Sequence, residues 1–161
     1  MADQYSAAVE GINLGVATNL VTLCVELTAS NRRITLNEMS VSFNGTSSAA
    51  LPVVVRLVRV TVAPVGGGTI TQQATPMDPA APSSLCTAYC PTFASPGIYA
   101  TTAPTVGVIL RTWYVSPTTG FTIQFPLGQE PCTPPTAANG LGIQCLAQAA
   151  VSCDQYLIWS E

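Results

Sequence analysis

The chain has 161 residues, which suits one domain with room for a hydrophobic core. Only 8% of the residues are charged, the net charge is −3, and the chain contains no His and no Lys. Catalytic sets that need His are therefore excluded within this chain, and the dispersed arginines form no basic patch for nucleic acid.

The surface is expected to carry little charge. Hydrophobic residues make up 48% of the chain, and its mean hydropathy is +0.39. A free monomer normally stays soluble by covering itself with mixed charge, so we expect much of this surface to be buried against other protein. A monomer with an uncharged Ser, Thr and Gln surface is the alternative that the composition leaves open.

Neither a membrane span nor a signal peptide is predicted. No stretch approaches the roughly 18 to 20 apolar residues that cross a bilayer. The first residues lack the basic start and apolar centre of a signal peptide. We therefore expect a protein that is made and kept in a cytosol, with no membrane partner.

The cysteines are interpreted as reduced thiols that act as small hydrophobic side chains. The six are Cys24, Cys86, Cys90, Cys132, Cys145 and Cys153. Zinc is not expected, because the close pair Cys86 and Cys90 has no second pair and no His to complete a tetrahedral set. Disulfides are the alternative that stays open. No other metal or cofactor is predicted.

The first third of the chain predicts two strands after a less regular start. Residues 1–19 carry scattered apolar positions and are interpreted as an irregular arm or a short edge strand. Residues 20–28 alternate apolar and polar side chains, as a half-buried strand does. Over residues 33–43 the apolar phase shifts by one residue, which predicts a β-bulge near Asn37 and Glu38.

Residues 51–63 are predicted to form the central strand of the fold. Seven of these thirteen residues are β-branched, and Pro52 and Pro64 bracket the stretch. Both of its faces are mostly apolar, which is typical of a strand covered on two sides, in a sandwich or at a subunit contact. A buried helix segment is the alternative, although β-branched side chains are stiff in helices. Glycines at 66–68 then lead to a short strand at 69–73.

Residues 74–104 contain too many prolines for a sheet ladder and too many apolar side chains for disorder. We predict an ordered excursion that packs on another surface. Ser83 could cap one turn of helix that runs through Cys90. The packing surface is either a neighbouring subunit or one open end of the chain's own sandwich.

The last third shows the most regular alternation. It predicts strands at residues 106–115, 121–127, 141–147 and 152–160. With the earlier elements this makes about eight strands and no long helix. The predicted fold class is therefore all-β, an antiparallel β-sandwich of the jelly-roll type. Residues 20–161 are expected to form a single domain that includes the excursion.

No catalytic site is predicted, and we expect that the chain is not an enzyme. The least implausible carboxylate pair for glycoside chemistry is Glu26 with Glu38, both on predicted strands. A solvated or inter-strand role is favoured for each of them.

Aromatic side chains give little support to a carbohydrate-binding surface. Trp113 and Tyr114 are adjacent on a strand, so they must point to opposite faces, and one of them is expected in the core. Tyr156 and Trp159 are three residues apart and are expected to lie on opposite faces as well.

Several motifs resemble small structural proteins encoded in the head and tail gene clusters of tailed bacteriophages. One group is Pro-Val-Val-Val-Arg-Leu-Val-Arg at 52–59, a Gly-rich turn, and Thr-Pro-Met-Asp-Pro at 75–79. The other is Trp-Tyr-Val-Ser-Pro-Thr-Thr-Gly-Phe at 113–121, Pro-Leu-Gly-Gln-Glu-Pro at 126–131 and Tyr-Leu-Ile-Trp-Ser-Glu at 156–161. The resemblance spans residues 35–161 and rests on short, degenerate motifs, from which most of the cysteines depart.

The resemblance implies a virion protein of the capsid decoration, or cement, class, made in the host cytoplasm and placed on the head surface. The implied partners are the major capsid protein and copies of the chain itself, with a trimer as the first expectation. The alternatives are a phage surface module that binds host carbohydrate, and another minor virion protein of the tail or head–tail junction.

Contacts with other subunits are expected from segments that the sandwich does not need for its own core. The first candidates are apolar side chains of the excursion: Tyr89, Phe93, Ile98 and Tyr99. The second candidates lie in the N-terminal segment: Tyr5, Val9 and Ile12.

Overall fold

The structure is a computed structural model that describes residues 3–29, 32–46, 51–61, 70–72, 74–94, 96–99 and 102–161. Within these ranges lie eleven strands and no helix. The strands are β1 (Gln4–Leu14), β2 (Asn19–Leu27), β3 (Thr35–Phe43), β4 (Val53–Val60), β5 (Ile70–Gln72), β6 (Thr75–Pro76), β7 (Cys86–Cys90), β8 (Val106–Val115), β9 (Gly120–Gln124), β10 (Gly140–Leu146) and β11 (Val151–Ser160). The described part of the chain has no helix long and apolar enough to cross a membrane.

The strands form two antiparallel sheets that pack face to face. Sheet 1 has the order β6-β1-β11-β3-β9, and sheet 2 has the order β5-β7-β2-β10-β4-β8. Inward-facing side chains of both sheets build one shared core that includes Trp159 and Met39 from sheet 1 and Leu57 and Ile143 from sheet 2. The predicted all-β antiparallel sandwich is confirmed. The predicted glycine link at 66–68 lies outside the described residues.

The connectivity has a simple order once one insertion is set aside. β5, β6 and β7 all belong to the long connection between β4 and β8. The other eight strands form two sets of four, β1-β11-β3-β9 and β2-β10-β4-β8. Along the chain each of these strands lies in the opposite sheet from the one before, except that β8 follows β4 in sheet 2.

The described strands outnumber the predicted eight, because β1, β6 and β7 were not predicted as regular strands. β1 extends over eleven residues and pairs with β11 from Gln4 opposite Ser160 to Leu14 opposite Val151. The N-terminal segment is thus a full strand of sheet 1, not an irregular arm.

β1 contains a bulge, where two of its residues lie opposite one residue of β11. The pairing with β11 shifts between Val9 and Ile12, and Gly11 lies there with φ of 71°. Its amide donates a hydrogen bond of 2.7 Å to Asp154 Oδ1 on β11. Since a left-handed backbone disfavours a side chain, glycine suits this position.

The bulge predicted in β3 is confirmed and falls on Asn37. Glu38 pairs with Ile158, and Leu36 pairs with Trp159, so Asn37 is the extra residue. Because the phase changes there, Leu36 and Met39 both point into the core, where they are completely buried.

The predicted central strand is β4, which lies between β10 and β8 in sheet 2. Its inner face carries Val53, Val55 and Leu57, which join the shared core. Its outer face carries Val58 and Val60, which are also completely buried. The apolar character of both faces therefore reflects two separate clusters, one on each side of sheet 2.

The second cluster covers the outer face of sheet 2, and we call it the outer cluster. Its buried members are Val21, Cys24, Val58 and Val60, and Tyr89, Tyr99 and Val106 pack against them. Tyr99 belongs to the excursion and donates a hydrogen bond of 2.8 Å from its hydroxyl to the Val21 carbonyl. The excursion thus folds back onto its own sandwich at this point.

The helical turn predicted at residues 83–90 is wrong, because residues 86–90 form β7 beside β2. Cys86, Ala88 and Cys90 are buried in strand alternation, and this pairing and burial outweigh the local capping signal. The Ser84 hydroxyl accepts a hydrogen bond of 3.0 Å from the Cys86 amide, as in a local turn rather than a helix cap.

Candidate interaction surfaces

Tyr5, Val9 and Ile12, expected at a subunit interface, lie in the core of the chain itself. Their exposed fractions are 2%, 3% and 0%. The Tyr5 ring stacks on Trp159 with centroids 6.2 Å apart, and its hydroxyl donates to the Pro82 carbonyl at 3.1 Å. The side chains are needed by the sandwich and are not available to a partner, because β1 is one of its strands.

The four aromatic and aliphatic candidates of the excursion separate into two pairs. Tyr89 and Tyr99 are half-buried against the outer cluster. Phe93 is 48% exposed and Ile98 is 53% exposed. Only the second pair presents a large apolar surface to solvent.

Phe93 and Ile98 lie on a loop that is closed by its own hydrogen bonds, and we call residues 92–94 and 96–98 the tip loop. The Thr92 amide donates to the Ile98 carbonyl at 3.0 Å, and the Ile98 amide donates to Thr92 Oγ1 at 3.2 Å. These hydrogen bonds join the two ends of the loop and fix its backbone conformation, so the positions of its exposed apolar side chains are fixed as well.

The tip loop is also attached to the end of β1. The Gly97 amide donates to the Asn13 carbonyl at 2.7 Å, and Asn13 Nδ2 donates to the Phe93 carbonyl at 3.2 Å. A Cβ atom on Gly15 would lie 2.9 Å from Pro96 Cβ, so the backbone at Gly15 lies against the Pro96 ring. Val16, the next residue, is 59% exposed and adds a further apolar side chain at this end of β1.

A second exposed apolar set lies on β8, which ends sheet 2. Val108, Ile109 and Tyr114 are 52%, 50% and 73% exposed. The pairing of β8 with β4 shifts twice, leaving Gly107 and Leu110 as extra residues. Bulges of this kind hinder the addition of another strand to a sheet edge, so β8 offers side chains to a partner more readily than its backbone.

The carboxylate pair considered for glycoside chemistry is not brought together. Glu26 lies on the outer face of sheet 2, in register with Thr87 and Gly140. Glu38 lies on the outer face of sheet 1, where it accepts hydrogen bonds from Gln124 and Tyr156. The whole sandwich separates the two side chains, so they cannot act on one bond.

Glu26 is nevertheless an unusual residue. It is only 2% exposed, and neither carboxylate oxygen has a hydrogen-bond partner among the described residues. Desolvation by burial raises the pKa of this carboxyl from its ordinary 4.5 to about 7. A Cβ atom on Gly140 would lie 2.6 Å from Glu26 Cγ, so the side chain crosses a glycine. Strand alternation placed Glu26 on the polar face and gave no sign that this face would be covered.

Trp113 and Tyr114 point to opposite sides of β8, as predicted. Trp113 is half-buried and packs on Phe121, with ring centroids 5.3 Å apart, whereas Tyr114 is exposed. Both residues nevertheless line one open depression together with Phe121 and Ile123, at the side of the sandwich where β8 and β9 meet. Tyr156 and Trp159 also diverge as predicted, with Trp159 completely buried and Tyr156 facing Glu38.

Five of the six cysteines are buried, and Cys132 is half-buried. Among the described residues, no group of three His, Cys, Asp or Glu side chains is placed so that it could hold a metal ion.

Comparisons of the chain with protein-family models, with curated proteins and with solved structures found no match.

Proposed function

We propose that this protein is a structural component of a virion, a capsid decoration protein that binds the major capsid protein on the head surface of a tailed bacteriophage. The observation that carries this proposal is the tip loop. Its hydrogen-bonded backbone holds Phe93 and Ile98 exposed to solvent. Such exposure is notable in a chain of which only 8% of the residues are charged. Apolar anchors on such a loop commonly dominate the binding energy of an interface.

The proposal includes a jelly-roll connectivity for the sandwich. Its support is the strand order: with the β4–β8 insertion set aside, two sheets of four strands alternate as in the two Greek keys of a jelly roll. Jelly rolls are common in viral capsid proteins and also in lectins, so fold alone does not separate the two leading functions.

The oligomer is proposed to be a closed ring of identical subunits, with a trimer as first expectation. Exposed Ile109 and Tyr114, which lie on the same face of β8 opposite Val58 and Val54, support a second contact surface besides the tip loop. A cyclic assembly would cover such a patch in every copy. Light scattering on the isolated protein tests this point, and a monomer at high concentration would contradict it.

The decisive experiment measures binding to capsids that lack the protein. The double variant Phe93→Ala with Ile98→Ala should bind at least tenfold more weakly, because two anchors of this type contribute about 2 kcal/mol or more when truncated. Leu127→Ala is the matched control, since Leu127 is 97% exposed on a different loop. Equal affinity of the double variant and the wild type would refute the role of the tip loop.

Binding to host carbohydrate is the second candidate, and the depression lined by Trp113, Tyr114 and Phe121 favours it. Exposed aromatic rings are suited to stacking on sugars. A glycan array on the purified protein separates the candidates. Specific binding that Tyr114→Ala abolishes would support a carbohydrate-binding module, whereas binding to capsids that depends on Phe93 and Ile98 would support decoration.

A further inference from the structure

A group of polar and sulfur-containing side chains lies inside the otherwise apolar core, between the two sheets. Its members are Thr22 on β2, Cys145 on β10, and Cys153 and Gln155 on β11. Thr22 Oγ1 lies 2.9 Å from Gln155 Oε1 and 3.7 Å from Cys145 Sγ. Gln155 Nε2 donates to Cys153 Sγ at 3.5 Å. The group therefore links side chains of sheet 2 to side chains of sheet 1.

The two cysteines of this group face each other across the sandwich. Cys145 belongs to sheet 2, Cys153 belongs to sheet 1, and both are completely buried in the shared core. Their sulfur atoms belong to the same polar group, because Cys145 Sγ contacts Thr22, Cys153 Sγ contacts Gln155, and Thr22 and Gln155 contact each other. The chain passes from β10 to β11 through residues 147–150, so the two thiols meet at a corner where the sheets are joined.

The remaining cysteines lie elsewhere in the fold. Cys24 faces the outer cluster, whereas Cys90 on the neighbouring strand faces the shared core. Cys86 lies close to Glu161, and Cys132 is half-buried beside β3. A disulfide needs two side chains that point at each other. Cys145 and Cys153 enter the same polar group from opposite sheets, which places them for such a bond.

We propose that Cys145 and Cys153 are a cross-linking site that forms a disulfide between the two sheets when the chain folds with a small-molecule disulfide such as oxidised glutathione. One Cys thiolate attacks the glutathione disulfide and releases one glutathione thiol. The second Cys thiolate then attacks the mixed disulfide and releases the other. Two protein thiols are oxidised and one glutathione disulfide is reduced to two thiols, so electrons and protons balance.

Burial determines when this reaction can occur. The hydrogen bond to Cys145, together with desolvation, raises the pKa of the Cys153 thiol far above its ordinary value, so its reactive thiolate is scarce in the folded protein. The folded, reduced pair should react slowly. Oxidation should succeed during folding, before the core closes over the thiols.

The test compares the wild-type chain refolded from denaturant in oxidised glutathione with the same chain refolded under full reduction. Free thiols are alkylated in denaturant, and the protein is cut with chymotrypsin. Trypsin is unsuitable, because no Arg or Lys lies between residues 145 and 153, whereas Leu146 does. The oxidised sample should yield the two peptides joined by one disulfide, with both cysteines unalkylated.

The cross-link should also raise the melting temperature by about 5 to 10 °C relative to the reduced chain, as expected for a short closed loop in a protein of this size. Cys132→Ser should keep this difference, and Cys153→Ser should remove it. Alkylation of both Cys145 and Cys153 after oxidative refolding, or pairing of either with another cysteine, would refute the proposal. This mapping uses the wild-type chain and holds even if Cys153→Ser does not fold.

Discussion

The outer faces of the two sheets are built on opposite principles. Sheet 1 presents polar side chains that bond across strands, as Ser40 does with Thr122 at 3.0 Å and Asn37 with Ser160 at 2.6 Å. Sheet 2 presents Val58 and Val60, which are completely buried as members of the outer cluster. The outer face of sheet 1 is polar and faces solvent, whereas the outer face of sheet 2 is apolar and is covered by other side chains. The difference arises from the excursion, which covers sheet 2.

The largest expected effect comes from placing a charge on the covered face. Val58→Asp should lower the free energy of unfolding by about 3 kcal/mol or more, because an unpaired carboxylate would be buried there. Thr122→Asp on the exposed face of sheet 1 should change it by less than about 1 kcal/mol. Urea unfolding of both variants measures the contrast. Similar losses in the two variants would mean that both faces are covered alike.

A smaller change is expected when the pH is varied. Titration of Glu26 should change the free energy of unfolding by up to about 3 kcal/mol. Because its pKa in the folded chain is raised from 4.5 to about 7, the folded state binds more protons than the unfolded state between these values. The contribution of Glu26 is therefore fully present below about pH 4.5 and is lost as pH rises through about 7. Glu26→Gln should match the wild type at pH 4.5, exceed its stability at pH 8, and flatten the pH profile.

Glu38→Gln provides the control for that measurement, since Glu38 lies on the exposed face and has hydrogen-bond partners. It should leave the decline of stability between pH 4.5 and 7 unchanged. If the decline persists in Glu26→Gln and vanishes in Glu38→Gln, the assignment of the titrating group is wrong.

Tyr99→Phe should lower the free energy of unfolding by about 1 kcal/mol. The substitution removes the hydrogen bond to the Val21 carbonyl but keeps the ring on the outer cluster. Tyr114→Phe, at an exposed position of β8, should have almost no effect. Thermal melting of the two variants gives the comparison. An unchanged melting temperature for Tyr99→Phe would show that the excursion covers sheet 2 without this bond.

The smallest effect on stability is expected at the tip loop. Phe93→Ser and Ile98→Ser should each change the free energy of unfolding by less than about 0.5 kcal/mol, since both side chains are about half exposed. Denaturant unfolding checks this result independently of any partner. A loss of 2 kcal/mol or more would make the tip loop part of the core's cover rather than a contact surface.

Strand alternation in the sequence was sufficient to predict most of the sandwich. It located the bulge at Asn37 and the opposed directions of Trp113 and Tyr114, because a period of two residues fixes which side chains share a face. β1 was missed because Gly11 and its bulge break the alternation between Val9 and Ile12. β7 was missed because its partner β2 is distant in sequence, and that pairing outweighs the capping signal of Ser83.

The interaction surfaces were harder to predict than the strands. Tyr89 and Phe93 look alike in sequence, as aromatic residues of a Pro-rich segment, yet one packs on sheet 2 and the other is exposed. The distinction depends on where the excursion crosses the sheet, which local sequence does not encode. The same reason explains why the burial of Glu26 was not foreseen.

The positions of the last two strands, β10 and β11, affect how the chain can fold. β11 lies in the middle of sheet 1, between β1 and β3, and β10 lies between β2 and β4 in sheet 2. Both strands come after all the others along this chain. During synthesis, therefore, sheet 2 cannot be completed before residue 146 is added, and sheet 1 cannot be completed before residue 160 is added.

Until then, the earlier strands are left with unpaired edges, and β1 must wait for a partner as distant as Ser160. Pairings so remote in sequence slow folding and prolong exposure of apolar strands. We expect the nascent chain to depend on chaperones, and folding to be rapid only after both β10 and β11 have been added.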